Sequence, residues 1–159
     1  DLTLVSVDTI FAKVLRERSE EAGVDWQLLL EADAPDAPEQ ARRNFVHFLK
    51  GEEVIDRVYD QIVDAGDRLL LTDAGLLGHL NDLIGTMRII ERLRDRTRTE
   101  GPSLVWLLAP SKSAREMARP TLDGQAVAVD DGDYGRVPSL LLGEDWKRQT
   151  KSSEQQAIV

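Results

Sequence analysis

Apolar and polar positions along the chain change period several times, and those changes mark out its elements. Leu2 to Val7 is short, apolar and rich in β-branched residues, which predicts a strand. Asp8 fits an N-cap, and Ile10, Phe11, Val14 and Leu15 follow at helical spacing up to Gly23, a natural stop. Asp25 caps a second, shorter helix carrying Trp26, Leu29 and Leu30. The two prolines of Ala34 to Pro38 then force a break. Phe45, Val46, Phe48 and Leu49 form a helical face, with Gly51 as an interruption. Val54, Ile55, Val58, Tyr59, Ile62 and Val63 form the clearest amphipathic helix, closed by Gly66.

Arg68 to Thr72 (RLLLT) reads as a buried strand. A helix is expected from about His79 to Arg96, with Leu80, Leu83, Ile84, Met87, Ile90 and Leu93 turned inward. Leu104 to Leu108 (LVWLL) reads as another buried strand, with Trp106 as packing. Ser111 to Arg119 is a loop or short helix, Pro120 to Gly124 a turn, and Gln125 to Val129 a fourth strand. Strands alternating with helices, and strands apolar on both faces, predict an α/β fold. It would have three layers, with a mainly parallel sheet of about four strands flanked by helices. Residues 1–146 are read as one domain and 147–159 (KRQTKSSEQQAIV) as a polar, disordered tail. The start at Asp1, with a strand almost at once and no charged-plus-apolar leader, reads as a fragment or processed chain of something longer.

Composition narrows the function classes. A chain of 159 residues, 42% hydrophobic, suffices for one domain with a core. The absence of cysteine removes disulfide scaffolds, thiol catalysis and cysteine-ligated metal centres. A net charge of −9 argues against a nucleic-acid coat or a polybasic membrane surface. The longest apolar run, Leu104 to Pro110, is far below membrane-spanning length. A cytoplasmic location without membrane contact is the expectation.

Ligands of open parallel sheets bind beyond the carboxyl ends of the strands. Asp8 with Thr9, Thr72 with Asp73, and Ser111 with Lys112 fall there. Two carboxylates and a lysine could hold a phosphate with a metal ion, yet Asp and Ser at strand ends also simply cap the next helix. The run Leu69 to Asp73, apolar and then acidic, has the form of the metal-holding strand of P-loop NTPases. No G-x-x-x-x-G-K-[ST] is present to cradle phosphates, and no G-x-G-x-x-G. A degenerate nucleotide-binding domain using Mg²⁺ therefore stands as an alternative, with Asp73 on the metal and Ser111 or Lys112 sensing phosphate. Otherwise no cofactor and no metal site is expected.

Arg88, Arg92 and Arg96 share a helical face at i, i+4 and i+8. This is a docking face for an acidic partner, a phosphate or nucleic-acid footprint, or a solvated last turn suited to cations. Asp56, Asp60 and Asp64 share another face near Glu53, and Asp130, Asp131 and Asp133 form an acidic turn; neither has the spacing of a calcium loop. His79, near Asn81 and Asp82, could serve as a base, but no serine nucleophile elbow accompanies it.

The series from Arg68 to Trp146 carries a resemblance. It comprises Leu69 to Leu77 (LLLTDAGLL), Ile89 to Asp95 (IIERLRD), Leu104 to Pro110 (LVWLLAP), Pro120 to Gly124 (PTLDG) and Ala126 to Val129 (AVAV). In that order it resembles the C-terminal region of actinobacterial phage-defence proteins, the serine/threonine kinases of phage growth limitation and BREX-type systems. Gly23 to Trp26 is similar to the preceding part of that region. Such kinases use ATP, but their Gly-rich loop, catalytic Asp-Asn loop and D-F-G segment have no counterpart here. The resemblance therefore implies no catalytic residue. It implies a non-catalytic accessory domain that contacts other phage-defence proteins.

Overall fold

The structure, a computed structural model, describes residues 1–49, 52–97, 101–109 and 120–129. Three parallel strands form its centre: β1 (Thr3–Ser6), β2 (Arg68–Thr72) and β3 (Leu104–Leu107), in the order β1-β2-β3. Thr3 pairs with Leu69, and Leu69 in turn with Val105, so the middle strand is hydrogen-bonded along both edges. Between β1 and β2 run α1 (Val7–Ala22), α2 (Trp26–Asp33), α3 (Glu39–Leu49) and α4 (Glu52–Asp64). Between β2 and β3 run α5 (Gly75–His79), α6 (Asn81–Ile84) and α7 (Arg88–Thr97). The fold is α/β, a parallel sheet flanked by helices, as the alternating pattern predicts.

Local chemistry explains the helix ends. Ser6, not Asp8, is the N-cap of α1: its hydroxyl accepts from the Thr9 amide at 3.4 Å and lies 2.9 Å from the Thr9 hydroxyl. Gly23 closes α1 in the left-handed region, φ 65°. Asp25 caps α2 through the Gln27 amide at 2.8 Å, as its position predicts.

The single helix expected over His79 to Arg96 is split into α6 and α7, with His79 itself the last residue of α5. The apolar period carries on unbroken through Gly85, but that residue takes φ 71° and ends α6. The Asn81 side-chain oxygen accepts from the Met87 amide at 3.1 Å, and the buried Thr86 hydroxyl donates to the Leu77 carbonyl. Polar side chains thus satisfy the backbone groups that the break would strand.

The expected fourth strand is a hairpin strand that stays out of the parallel sheet. β4 (Thr121–Leu122) and β5 (Gln125–Ala126) pair antiparallel around Asp123 and Gly124, at φ 44° and 80°. Two successive positive φ values are what a tight two-residue hairpin needs, and Asp-Gly supplies them.

One core joins the layers: Val5, Phe11, Val14, Leu49, Val54, Val58, Tyr59, Ile62, Leu69, Leu71, Leu77 and Leu93 are all buried in it. Above it, Glu53 accepts from Arg18 at 2.9 Å and from Arg57 at 2.6 Å, and Glu21 accepts from Arg57 at 2.9 Å. These hydrogen bonds hold the Glu53 and Glu21 carboxyls below the usual carboxylate range.

The two faces of the sheet differ. Val5, Leu69 and Leu71 point into the core, and Val105 and Leu107 pack against it. The register places Leu4, Leu70 and Trp106 in one row across the opposite face. Among the described residues the two ends of this row are uncovered, Leu4 at 68% exposed and Trp106 at 57%, with Leu70 half-buried between them. The reading of Trp106 as packing is therefore corrected. An apolar strand pattern reports that both faces repel water, and cannot report whether both are covered.

Candidate functional site

Chain reversal at the carboxyl ends of β1 and β2 brings Asp8 and Asp73 together, as expected. The Asp8 amide donates to the Asp73 carbonyl at 2.7 Å. Asp73 takes φ 47°, a conformation Asp tolerates better than most side chains. Its exposed carboxylate accepts from the Thr72 hydroxyl at 3.1 Å. The Asp8 carboxylate turns the other way: it accepts from the Leu76 amide at 2.9 Å and also faces the Gly75 amide.

Asp8 is thus a capping residue, but for α5, 68 residues further along the chain, and not for its own helix. Partial burial pushes its carboxyl up, an effect opposed by the two amides and reinforced by the Asp73 charge. The arrangement fastens α1 to α5 and leaves one exposed carboxylate, Asp73. No group of three or more acidic or histidine side chains suited to a metal ion occurs among the described residues. Ser111 and Lys112 lie outside the described residues.

The arginine face is largely spent inside the molecule. Arg88 donates to the carbonyls of Gly85 and Ile84, both at 3.2 Å, satisfying the end of α6. Arg92 pairs with Asp56 of α4 at 2.6 Å and stacks over the Tyr59 ring, 4.1 Å from its centroid. Arg94 donates to the Ala128 carbonyl at 3.0 Å and so holds the chain beyond β5. Of Arg96 the structure describes only its place in α7.

Two features escape the sequence reading. His79 contacts neither Asn81 nor a nucleophile. Its Nε2 lies 3.1 and 3.2 Å from the two carboxylate oxygens of Asp33, at the end of α2. Its Nδ1 lies 3.5 Å from Asp123 in the hairpin turn. No local signal foretells this, because the partners are 46 and 44 positions away.

The second feature is the open sheet face, where Leu2 continues the row of Leu4, Leu70 and Trp106 at the strand end and is 45% exposed. Alternation would have found it: Leu2, Leu4 and Ser6 share one side of β1, with Thr3 and Val5 on the other. Comparison with known proteins adds nothing to this geometry, since no protein-family model, curated protein or solved structure matches the chain.

Proposed function

We propose that this chain is a non-catalytic protein-interaction domain that docks a partner on the open face of its sheet. One observation carries the reading: in the apolar row Leu4–Leu70–Trp106 of the parallel sheet, Leu4 and Trp106 are exposed on either side of a half-buried Leu70. Sheets of this kind are covered on both faces, and helices are the elements that cover them. The row spans three strands, roughly 10 Å at about 4.8 Å per strand spacing, which is the width of one α-helix. Arg68 is the one charged strand residue on this side, in a chain of net charge −9. A neutral, apolar helix face therefore suits it better than a charged one.

The partner class comes from the resemblance of the Arg68–Trp146 series: another protein of a cytoplasmic phage-defence assembly. The Asp8 carboxylate, already committed to the Leu76 amide, weakens the rival reading of a nucleotide site with Mg²⁺.

The test uses the full chain and the purified proteins of such a system. Trp106→Arg is expected to abolish complex formation in analytical ultracentrifugation while leaving the melting temperature unchanged. A complex that persists in Trp106→Arg overturns the assignment of the face. A thermal shift of several degrees with Mg²⁺ and millimolar ATP, lost in Asp73→Ala, replaces the reading with the nucleotide one.

A further inference from the structure

We propose that Asp33, His79 and Asp123 form a pH-dependent clasp that fastens the β4–β5 hairpin to α2 and α5 when the imidazole is protonated. The geometry carries the argument. The ring is flanked by a carboxylate at each nitrogen, Asp33 at Nε2 and Asp123 at Nδ1. A neutral imidazole has one N–H and one lone pair, so it satisfies one of these acids and turns its lone pair to the other. The imidazolium has two N–H groups and satisfies both.

Each partner comes from a different element, so the clasp ties three pieces of the fold. Asp33 ends α2, His79 ends α5, and Asp123 is the first residue of the hairpin turn. The two carboxylates beside the ring, Asp33 and Asp123, favour the cation, and the other charged groups of the neighbouring elements are engaged elsewhere. Asp82 of α6 accepts from Gln125 of β5 at 3.2 Å, and Asp8 of α1 caps the far end of α5. Arg42 of α3 donates to the carbonyls of Ala34 and Pro35. In keeping with this, the Asp33 hydrogen bond raises the His79 pKa above its ordinary value against the opposing effect of burial.

Beyond the clasp the hairpin is tied to the body by the Gln125–Asp82 and Arg94–Ala128 hydrogen bonds. Its strands are two residues each, and Leu122, beside Gly78, and Val127 are its buried apolar side chains. The sign follows from linkage. A histidine whose folded pKa is raised contributes stability that is complete below its unfolded pKa, about 6.5, and is lost as pH rises through the folded value. The hairpin is therefore tightest below about pH 6.5 and loosens as pH rises through the raised folded value.

The chain has two histidines, His47 and His79, so an NMR titration resolves both. His79 is expected to titrate above the ordinary histidine value of about 6.5, and both Asp33→Asn and Asp123→Asn are expected to lower its midpoint. Hydrogen exchange at Leu122 and Val127, corrected for intrinsic rates, is expected to accelerate between pH 6 and 9 relative to Val58. That acceleration disappears in His79→Gln. A His79 midpoint at or below about 6.5 overturns the proposal, as does hairpin protection that ignores pH. If His79→Gln loosens the hairpin at every pH, Asp123→Asn decides: an unchanged His79 midpoint in that variant refutes the clasp.

Discussion

Gly78→Ala sets two effects of opposite sign against each other. Gly78 lies inside α5, where alanine is favoured over glycine by up to ~1 kcal/mol on backbone entropy and helix propensity. A Cβ at that position, however, would fall within the van der Waals envelope of the Leu122 carbonyl and 3.0 Å from Asp123 Cβ. The obstacle is backbone, which cannot rotate aside as a side chain can. Relief requires the hairpin to shift outward, and Leu122 and Val127, both 1% exposed, move with it. Overpacking of this kind costs about 1–3 kcal/mol, and full exposure of either side chain would cost about 1.5–3 kcal/mol. Sterics therefore win, with a net loss of about 1–3 kcal/mol, or roughly 2–10 °C in melting temperature for a chain of this size.

Urea unfolding and hydrogen exchange together make the assay. Gly23→Ala is the control: it meets nothing within 4 Å and suffers the left-handed backbone penalty alone, about 1–2 kcal/mol. Gly78→Ala is expected to lose protection at Leu122 and Val127 selectively, and Gly23→Ala is not. Equal or greater stability in Gly78→Ala would refute the packing of the hairpin against α5.

Two further outcomes are expected. Asp25→Ala removes the acceptor of the Gln27 amide and costs about 1 kcal/mol in urea unfolding, whereas Asp25→Ser restores most of it. Asp8→Asn probes linkage: the folded Asp8 pKa is raised above 3.8, so the native state holds its proton more tightly, and ionisation of Asp8 works against folding. Wild-type stability should therefore rise relative to Asp8→Asn as pH falls from 7 to 4, and a difference independent of pH would contradict the partial burial of that carboxylate.

Periodicity exposed most of this fold. Arg68 to Thr72 is a strand at the predicted bounds, Gly23 and Asp25 punctuate the first two helices as expected, and the helix carrying Val54 to Val63 is buried along its apolar stripe. What periodicity misses has physical causes. Gly85 interrupts a helix without interrupting its apolar spacing, so the break leaves no trace in the pattern. Asp8 looks like a cap for the helix it begins, yet the amides it serves arrive from the far side of a crossover. The site is less legible than the fold for the same reason: the partners of His79 and the row through Leu4 and Trp106 are assembled by topology from distant segments.

The pairing of β1 with β2 has a consequence for biosynthesis. Thr3 meets Leu69, 66 positions later, whereas Arg68 meets Leu104 only 36 positions later. A ribosome adds about 5–20 residues per second, so the first strand waits roughly 3–13 s before the residues that bond it exist. During that interval α1 to α4 are synthesised, and Leu4 and Val5 of β1 have no β2 to join. The nascent chain thus passes through a stage in which these helices precede the pairing of β1 with β2, and that is the stage at which a chaperone would find its binding segment.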